Sequence, residues 1–143
     1  FLAENKVVLG DVPAGNVFVD GYGVGDVGSL VLRERKLLSE DGVIVNIDGA
    51  GNRVAAITWG PKKVIFVIGL NKVTQTVEAA LSRARGTASP INSARFDIKT
   101  PCKADGVCHN CNSPECICNY VHFLRNSPKG RHTVILVGEN LGY

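Results

Sequence analysis

The 143-residue sequence has no methionine, not even at position 1, a single tryptophan and only 6% aromatic residues. Without an initiator, Phe1 is not a translation start, so the sequence is expected to begin inside a longer reading frame or after processing. Long apolar runs are also missing. The longest is Val64-Ile65-Phe66-Val67-Ile68, far short of the roughly 20 residues a membrane helix needs. No membrane partner is expected, and no signal or transit peptide is recognisable. Excess charge of one sign is lacking too. The net charge of +3 gives no argument for a polyanion, and nucleic acid is not an expected partner. There is no internal repeat. Histidine occurs only at His109, His122 and His132, none in an H-x-H-x-D-H arrangement. Metal-dependent phosphodiester hydrolysis needs such a cluster, so nuclease activity is not expected.

What is present is a globular composition, 45% hydrophobic and 20% charged, which excludes disorder and suits one compact domain. All five cysteines fall between Cys102 and Cys118. An odd count without a secretory signal speaks for a reducing, cytoplasmic compartment and for metal or redox chemistry rather than a disulfide scaffold.

Along the chain, 6–12 and 16–20 read as strands around Pro13-Ala14-Gly15. A glycine-dense stretch, 21–28, follows. Residues 29–40 read as a helix, with Leu30, Val31, Leu37 and Leu38 on one face and Arg33 to Lys36 on the other. Asp26 or Ser29 is its candidate N-cap and Gly42 its C-terminal stop. Residues 43–47 form a strand, 48–52 a turn, and 53–59 and 63–68 two more strands. Thr74 can cap a helix over 75–85, with the stripe Val77, Ala80, Leu81, Ala84, ended by Gly86. Residues 90–101 read as helix plus loop and 102–119 as irregular. Strands at 120–125 and 131–137 close the chain. The apolar runs 64–68 and 134–137 suit strands covered on both faces. The expected fold class is α/β, a mixed sheet flanked by helices.

From Val43 to Tyr143 the sequence resembles the C-terminal half of the LUD family, the lactate-utilisation proteins. The matching pieces are Asp48-Gly-Ala-Gly-Asn-Arg-Val-Ala-Ala56, Gly60-Pro-Lys-Lys-Val64, Gly69-Leu-Asn-Lys72, Pro90-Ile-Asn92, Thr100-Pro-Cys102, Cys108-His-Asn-Cys-Asn-Ser-Pro114, Ile117-Cys-Asn119 and Val137-Gly-Glu-Asn-Leu-Gly-Tyr143. From Asp11 to Val45 it resembles ribonuclease J instead, through Val12-Pro-Ala-Gly-Asn16, Val19-Asp-Gly21, Gly25-Asp-Val-Gly28 and Val31-Leu-Arg-Glu-Arg-Lys-Leu-Leu-Ser-Glu-Asp-Gly42. Ser39-Glu40-Asp41-Gly42 is compatible with both patterns. The implied organisation is a chimera. A ribonuclease J-like β–helix–β segment over 1–45 would join a LUD-like segment over 46–143 that carries the cysteine loop 102–118, the two forming one compact domain. The LUD resemblance implies kinship with the CoA-transferase and sugar-phosphate isomerase fold. There, loops at strand ends bind anions, which makes Asn52, Arg53, Asn71 and Lys72 candidates. Incomplete halves leave exposed sheet edges, so a homo-oligomer is expected, with domain swapping as one route.

Within the LUD resemblance, Cys102, Cys108, Cys111 and Cys118 stand where that family has cysteine, and Cys116 is an extra thiol. Cys108-x2-Cys111 is the knuckle spacing that sets two sulfurs on one side of a metal. Four thiolates suit Zn²⁺ in a structural tetrahedral site or a [4Fe–4S] cluster able to pass electrons, and the redox family context favours the cluster. Disulfides or free thiols are the alternatives. His109, flanked by Cys108 and Asn110, is either a substitute ligand or solvent-facing.

A second constellation is Gly23-Val-Gly25-Asp-Val-Gly28. It follows a predicted strand, opens a predicted helix and is followed after 20 residues by Asp48. That is the layout of a dinucleotide site with Gly23, Gly25 and Gly28 at the pyrophosphate and Asp48 at a ribose. The plainer reading is a tight turn. Asp48 to Arg53 can form an anion nest or a simple turn. Trp59 reads as a core or sheet-face aromatic, and no catalytic triad order is recognisable.

Overall fold

The computed structural model describes residues 7–9, 29–32, 36–59, 61–128 and 130–143. Two four-stranded sheets organise them. The first is all parallel, in the order β1 (Val7–Leu9), β8 (His132–Val137), β5 (Lys63–Gly69), β2 (Ser29–Leu32). The second is mixed, in the order β6 (Val73–Thr74), β3 (Lys36–Ser39), β4 (Ile44–Asp48), β7 (Tyr120–Leu124). In it β4 runs antiparallel to both β3 and β7, and β6 runs parallel to β3. The expected α/β class with a mixed sheet and flanking helices holds, with a parallel sheet beside it. The apolar runs at 64–68 and 134–137 are the two inner strands of that parallel sheet. Val64, Phe66, Val67, Ile68 and Val134 are all buried.

The alternation of β4 divides the core. Ile44 joins Leu38, Leu124, Ile57, Val64, Phe66, Ile68 and Val134 between the two sheets. Val45 and Ile47 face the other way and pack with Leu37, Ala80 and Ala84. Each fully buried side chain of this size contributes about 1.5–3 kcal/mol relative to exposure.

Three element assignments differ from the sequence reading: 29–40, 53–59 and, at the start of the stretch read as irregular, 102–105. Residues 29–40 are not a helix. Their described parts are β2 and β3. Adjacent Leu37 and Leu38 are both buried but in opposite clusters, which only a period of two allows. Gly42, φ 88°, turns the β3–β4 hairpin instead of ending a helix. Conversely, 53–59 is not a strand. It holds α1 (Asn52–Thr58), whose first turn is closed by the Asp48 carboxylate and whose alanines favour helix.

The predicted helix over 75–85 is present as α2 (Val77–Arg83), but its cap is Thr76, whose hydroxyl accepts from Ala79 N, while Thr74 lies in β6. Gly86 does not end it. A π-helical turn over Ala84–Ala88 carries the axis into α3 (Ser89–Ser93), with Ser89 Oγ donating to Ala84 O at 2.9 Å. A further helix, α4 (Pro101–Asp105), opens on a proline at its first position, where no intrahelical N–H is needed.

Candidate functional site

The cysteine segment begins on α4 and continues through 106–119, which have no regular structure. Cys102 sits at the start of α4. Its Sγ is 3.6 Å from Ser93 Oγ and 3.4 Å from Thr100 Oγ1. Asp105 accepts from Val107 N at 2.9 Å and meets His109 Nε2 at 2.6 Å. The Val107 N–H, with His109 beside it, holds this carboxyl below its ordinary range. Farther on, the Cys118 N–H points at Cys116 Sγ at 3.4 Å, Glu115 accepts from Lys99 N, and Asn119 Nδ2 donates to Gly49 O at 3.0 Å. That last bond ties the segment to the β4–α1 turn.

Cys118 packs against the cluster of Leu37, Val45 and Ile47. Burial pushes its thiol up to about 11. Charge on Cys116 and Cys108 pushes the same way, against a hydrogen bond from Ser89.

All five cysteines are free and half-buried. Among the described residues no group of three or more His, Cys, Asp or Glu side chains is arranged to hold a metal ion. In this arrangement Cys102, Cys108, Cys111 and Cys118 therefore do not form the convergent set that a Cys₄ ion or cluster requires. Cys102 is engaged with Ser93 and Thr100, and Cys118 is a protonated, core-facing thiol.

Of the nucleotide constellation, Gly23, Gly25 and Gly28 lie outside the described residues. The residues that follow them, Ser29–Leu32, are strand β2, where a phosphate-binding βαβ unit needs a helix N-terminus. Asp48 does stand at the end of β4, buried, but its carboxylate is already engaged. It accepts from Arg53 N at 2.9 Å, Val54 N at 3.1 Å and Arg53 Nη2 at 2.9 Å. Burial alone would raise its pKa; the Val54 N–H and the Arg53 charge outweigh that and hold it below the usual value.

The anion candidates separate. Asn52 is exposed and Lys72 buried. Asn71 fastens the C-terminal segment, donating to Gly142 O at 3.1 Å and accepting from Leu141 N at 3.2 Å. Trp59 is not a core residue. It follows the last turn of α1 and is 83% exposed.

The sequence reading did not single out a polar group between the sheets. His132 is buried and stacked on Phe66, centroids 5.8 Å apart. Its Nε2 lies 3.0 Å from Ile57 O and its Nδ1 2.5 Å from Ser127 Oγ. Arg131 wraps the end of α1, donating to Ala56 O at 3.1 Å, Pro61 O at 3.0 Å, and the carbonyls of Ile57 and Thr58. His122 Nε2 lies 3.4 Å from Thr58 Oγ1. Asn46 is wholly buried and neither of its amide atoms has a partner. The available signal was an asparagine between Val45 and Ile47 in an apolar strand.

No helix among the described residues is long and apolar enough to cross a membrane.

Comparison with known proteins finds two likenesses. The LUD domain profile matches residues 34–137. Separately, the chain is 39% identical over 62 residues to ribonuclease J2 of Bacillus subtilis (strain 168), covering 43% of this chain and 11% of that protein. It is 52% identical over 56 residues to ribonuclease J 2 of Staphylococcus epidermidis (strain RP62A), covering 37% and 10%. The same shares hold for ribonuclease J 2 of Staphylococcus aureus (strain NCTC 8325), at 50% identity. The chain thus spans about a tenth of the length of these curated relatives. No solved structure matches it.

Proposed function

Because the chain belongs to the LUD-domain family, we propose that it is a LUD-type fragment, joined to a ribonuclease J-like segment, with no catalysis of its own. Its chemistry resides in the thiols of 102–118. The family resemblance supports reading that chemistry with the redox proteins of lactate utilisation, and the clustered thiols support a reducing, cytoplasmic setting.

One observation carries this reading. Charge on Cys108 or Cys116 opposes ionisation of Cys118, so three thiols share one neighbourhood although the chain brings them there from different positions. Such a pool suits a soft metal, Zn²⁺ or an iron–sulfur cluster. Since no three donors converge as the chain stands, uptake would require the 106–117 stretch, which lacks regular structure, to bring Cys108 and Cys111 in. Metal-dependent phosphodiester cleavage is not part of the proposal, since the three histidines are scattered.

The second reading is a folded fusion without evolved activity, favoured by the engagement of Cys102 and the high pKa of Cys118. Either reading includes a homo-oligomer. β7 ends the mixed sheet, and Tyr120 and Phe123 on it are 49% and 42% exposed.

The deciding experiment is iron and zinc content per chain after purification without oxygen, for the wild type and for Cys108→Ser/Cys111→Ser. About one zinc or about four irons per chain, lost in the double variant, is the expected result. Neither metal in the wild type would leave the fusion reading.

A further inference from the structure

We propose that Cys116 and Cys118 form a reversible dithiol–disulfide couple that exchanges with low-molecular-weight disulfides. Cys116 is the fifth thiol, left over from a site built on Cys102, Cys108, Cys111 and Cys118. The fold gives it a partner. The Cys118 N–H donates to Cys116 Sγ at 3.4 Å, so the sulfur of one residue lies against the backbone of the other. The Cys118 sulfur is three bonds from that nitrogen, and a change of its χ1 rotamer turns it toward Cys116. A disulfide needs its two Cα atoms within about 7 Å. Residues two apart meet that limit wherever the chain bends, and it bends at Ile117.

Both cysteines are fixed from outside the pair. Cys116 N donates to Ser113 O at 3.0 Å, closing the turn Ser113-Pro114-Glu115-Cys116. On the other side Asn119 Nδ2 donates to Gly49 O at 3.0 Å. Ile117 packs so closely there that a Cβ on Gly49 would stand 3.2 Å from Ile117 O. The pair is also asymmetric, as exchange requires. Cys116 follows the exposed Pro114 and Glu115, where a small disulfide meets it first. Cys118 faces inward against Leu37, Val45 and Ile47. A small cavity lined by Ile47, Ala84, Ala88, Ser89, Asn92 and Ile117 adjoins that cluster and leaves Cys118 room to turn.

The exchange balances in two steps. The Cys116 thiolate attacks one sulfur of the external disulfide, a mixed disulfide forms at Cys116, and one external thiolate leaves. Cys118 then gives its proton to solvent and its sulfur attacks Cys116 Sγ, expelling the second external thiolate. The protein loses two hydrogens with their electrons, and the external disulfide becomes two thiols. The ring closed through Ile117 is short, and a strained disulfide is readily reduced. Excess external thiol therefore runs the same steps backwards. The couple uses none of Cys102, Cys108 and Cys111, so it can fail while metal uptake holds, and the reverse.

The test uses the full chain with glutathione disulfide as probe, at neutral pH. In Cys108→Ser/Cys111→Ser the tryptic peptide Ala104–Arg125 keeps only Cys116 and Cys118. It should come out two hydrogens lighter after oxidation and regain them in excess reduced glutathione. In the wild type, fragment spectra should place the bridge between the same two residues, a readout that needs no variant to fold. Cys118→Ser should stop at a glutathione adduct on Cys116. An adduct that persists on Cys116 in the wild type and in Cys108→Ser/Cys111→Ser would overturn the proposal. So would a bridge joining Cys118 to a different cysteine, or oxidation that waits for denaturant. Zinc or iron lost in Cys116→Ser would assign that thiol to the metal instead and overturn it as well.

Discussion

The Asp48 carboxylate and the Arg53 guanidinium meet at 2.9 Å across the turn that links β4 to α1. The same carboxylate takes the N–H groups of Arg53 and Val54, so one buried side chain both ends the strand and starts the helix. Removing a buried, hydrogen-bonded charge leaves its partners unsatisfied. Asp48→Ala is expected to destabilise by about 3 kcal/mol in urea unfolding. The coupling to Arg53 in a double-mutant cycle should be smaller, about 1 kcal/mol, because the guanidinium is partly exposed. The folded-state pKa of Asp48 lies below its ordinary value of 3.8. Its contribution is therefore present above that value and lost as pH falls through the folded one. The Asp48→Ala variant should lack that acidic limb.

His122 and His132 also lose stability as pH falls, for a different reason. Burial lowers both, and for His132 the Arg131 and His122 charges add to it against the bond to Ile57 O. A histidine whose folded pKa is depressed stays neutral in the native state while the unfolded chain takes up a proton. Stability is complete above the ordinary value of 6.5 and declines as pH falls from there toward the folded values. The urea midpoint should fall between pH 8 and pH 5.5, and the fall should shrink in His132→Phe. An equal fall in that variant would place the effect elsewhere.

Gly69 ends β5 where the C-terminal segment returns. A Cβ there would stand 2.5 Å from Asn71 Oδ1, 2.6 Å from Glu139 O and 2.6 Å from Leu141 N. Two of the three are backbone atoms, which cannot step aside like a side-chain tip. Gly69→Ala is expected to cost at least about 2 kcal/mol and to free the segment that Asn71 holds. Limited proteolysis should then cut near 138–143 faster than in the wild type, whereas Gly86→Ala, with open space around its Cβ position, should not change that cut.

Cys118 should be the slowest thiol to alkylate. Its pKa of about 11 leaves little thiolate at pH 7.5, and the thiolate is the nucleophile. Mass spectrometry of iodoacetamide-treated protein should find Cys118 modified last and only after the loop opens in denaturant. Rapid labelling under native conditions would show that its burial is not kept in solution.

The polar pair that sequence reading passed over shows why some positions were silent. A histidine within Tyr120–Leu124 and an asparagine within Ile44–Asp48 are each unremarkable in a list of residues. They matter because antiparallel pairing sets them face to face, and pairing is non-local information. Residues 29–40 failed for a related reason. Leu37 and Leu38 fit a helical stripe as well as a strand, and only the existence of two apolar partners, one on each face of the sheet, makes the strand the lower-energy choice.

Local chemistry settled other features without help from the fold. The apolar runs at 64–68 and 134–137 had to be covered strands, because no other element buries consecutive β-branched residues on both faces. Ordered motifs along the chain carried the family, and the profile match over 34–137 agrees with it. Two things were decided only in three dimensions. Asp48, read as an open acid at a strand end, is engaged because the following residues turn helical over it. The cysteines, close in sequence, are engaged differently: α4 sets Cys102 beside Ser93, while Cys118 packs against the cluster of Leu37, Val45 and Ile47. Spacing along a chain limits which groups can meet, but packing against the rest of the molecule determines which ones do.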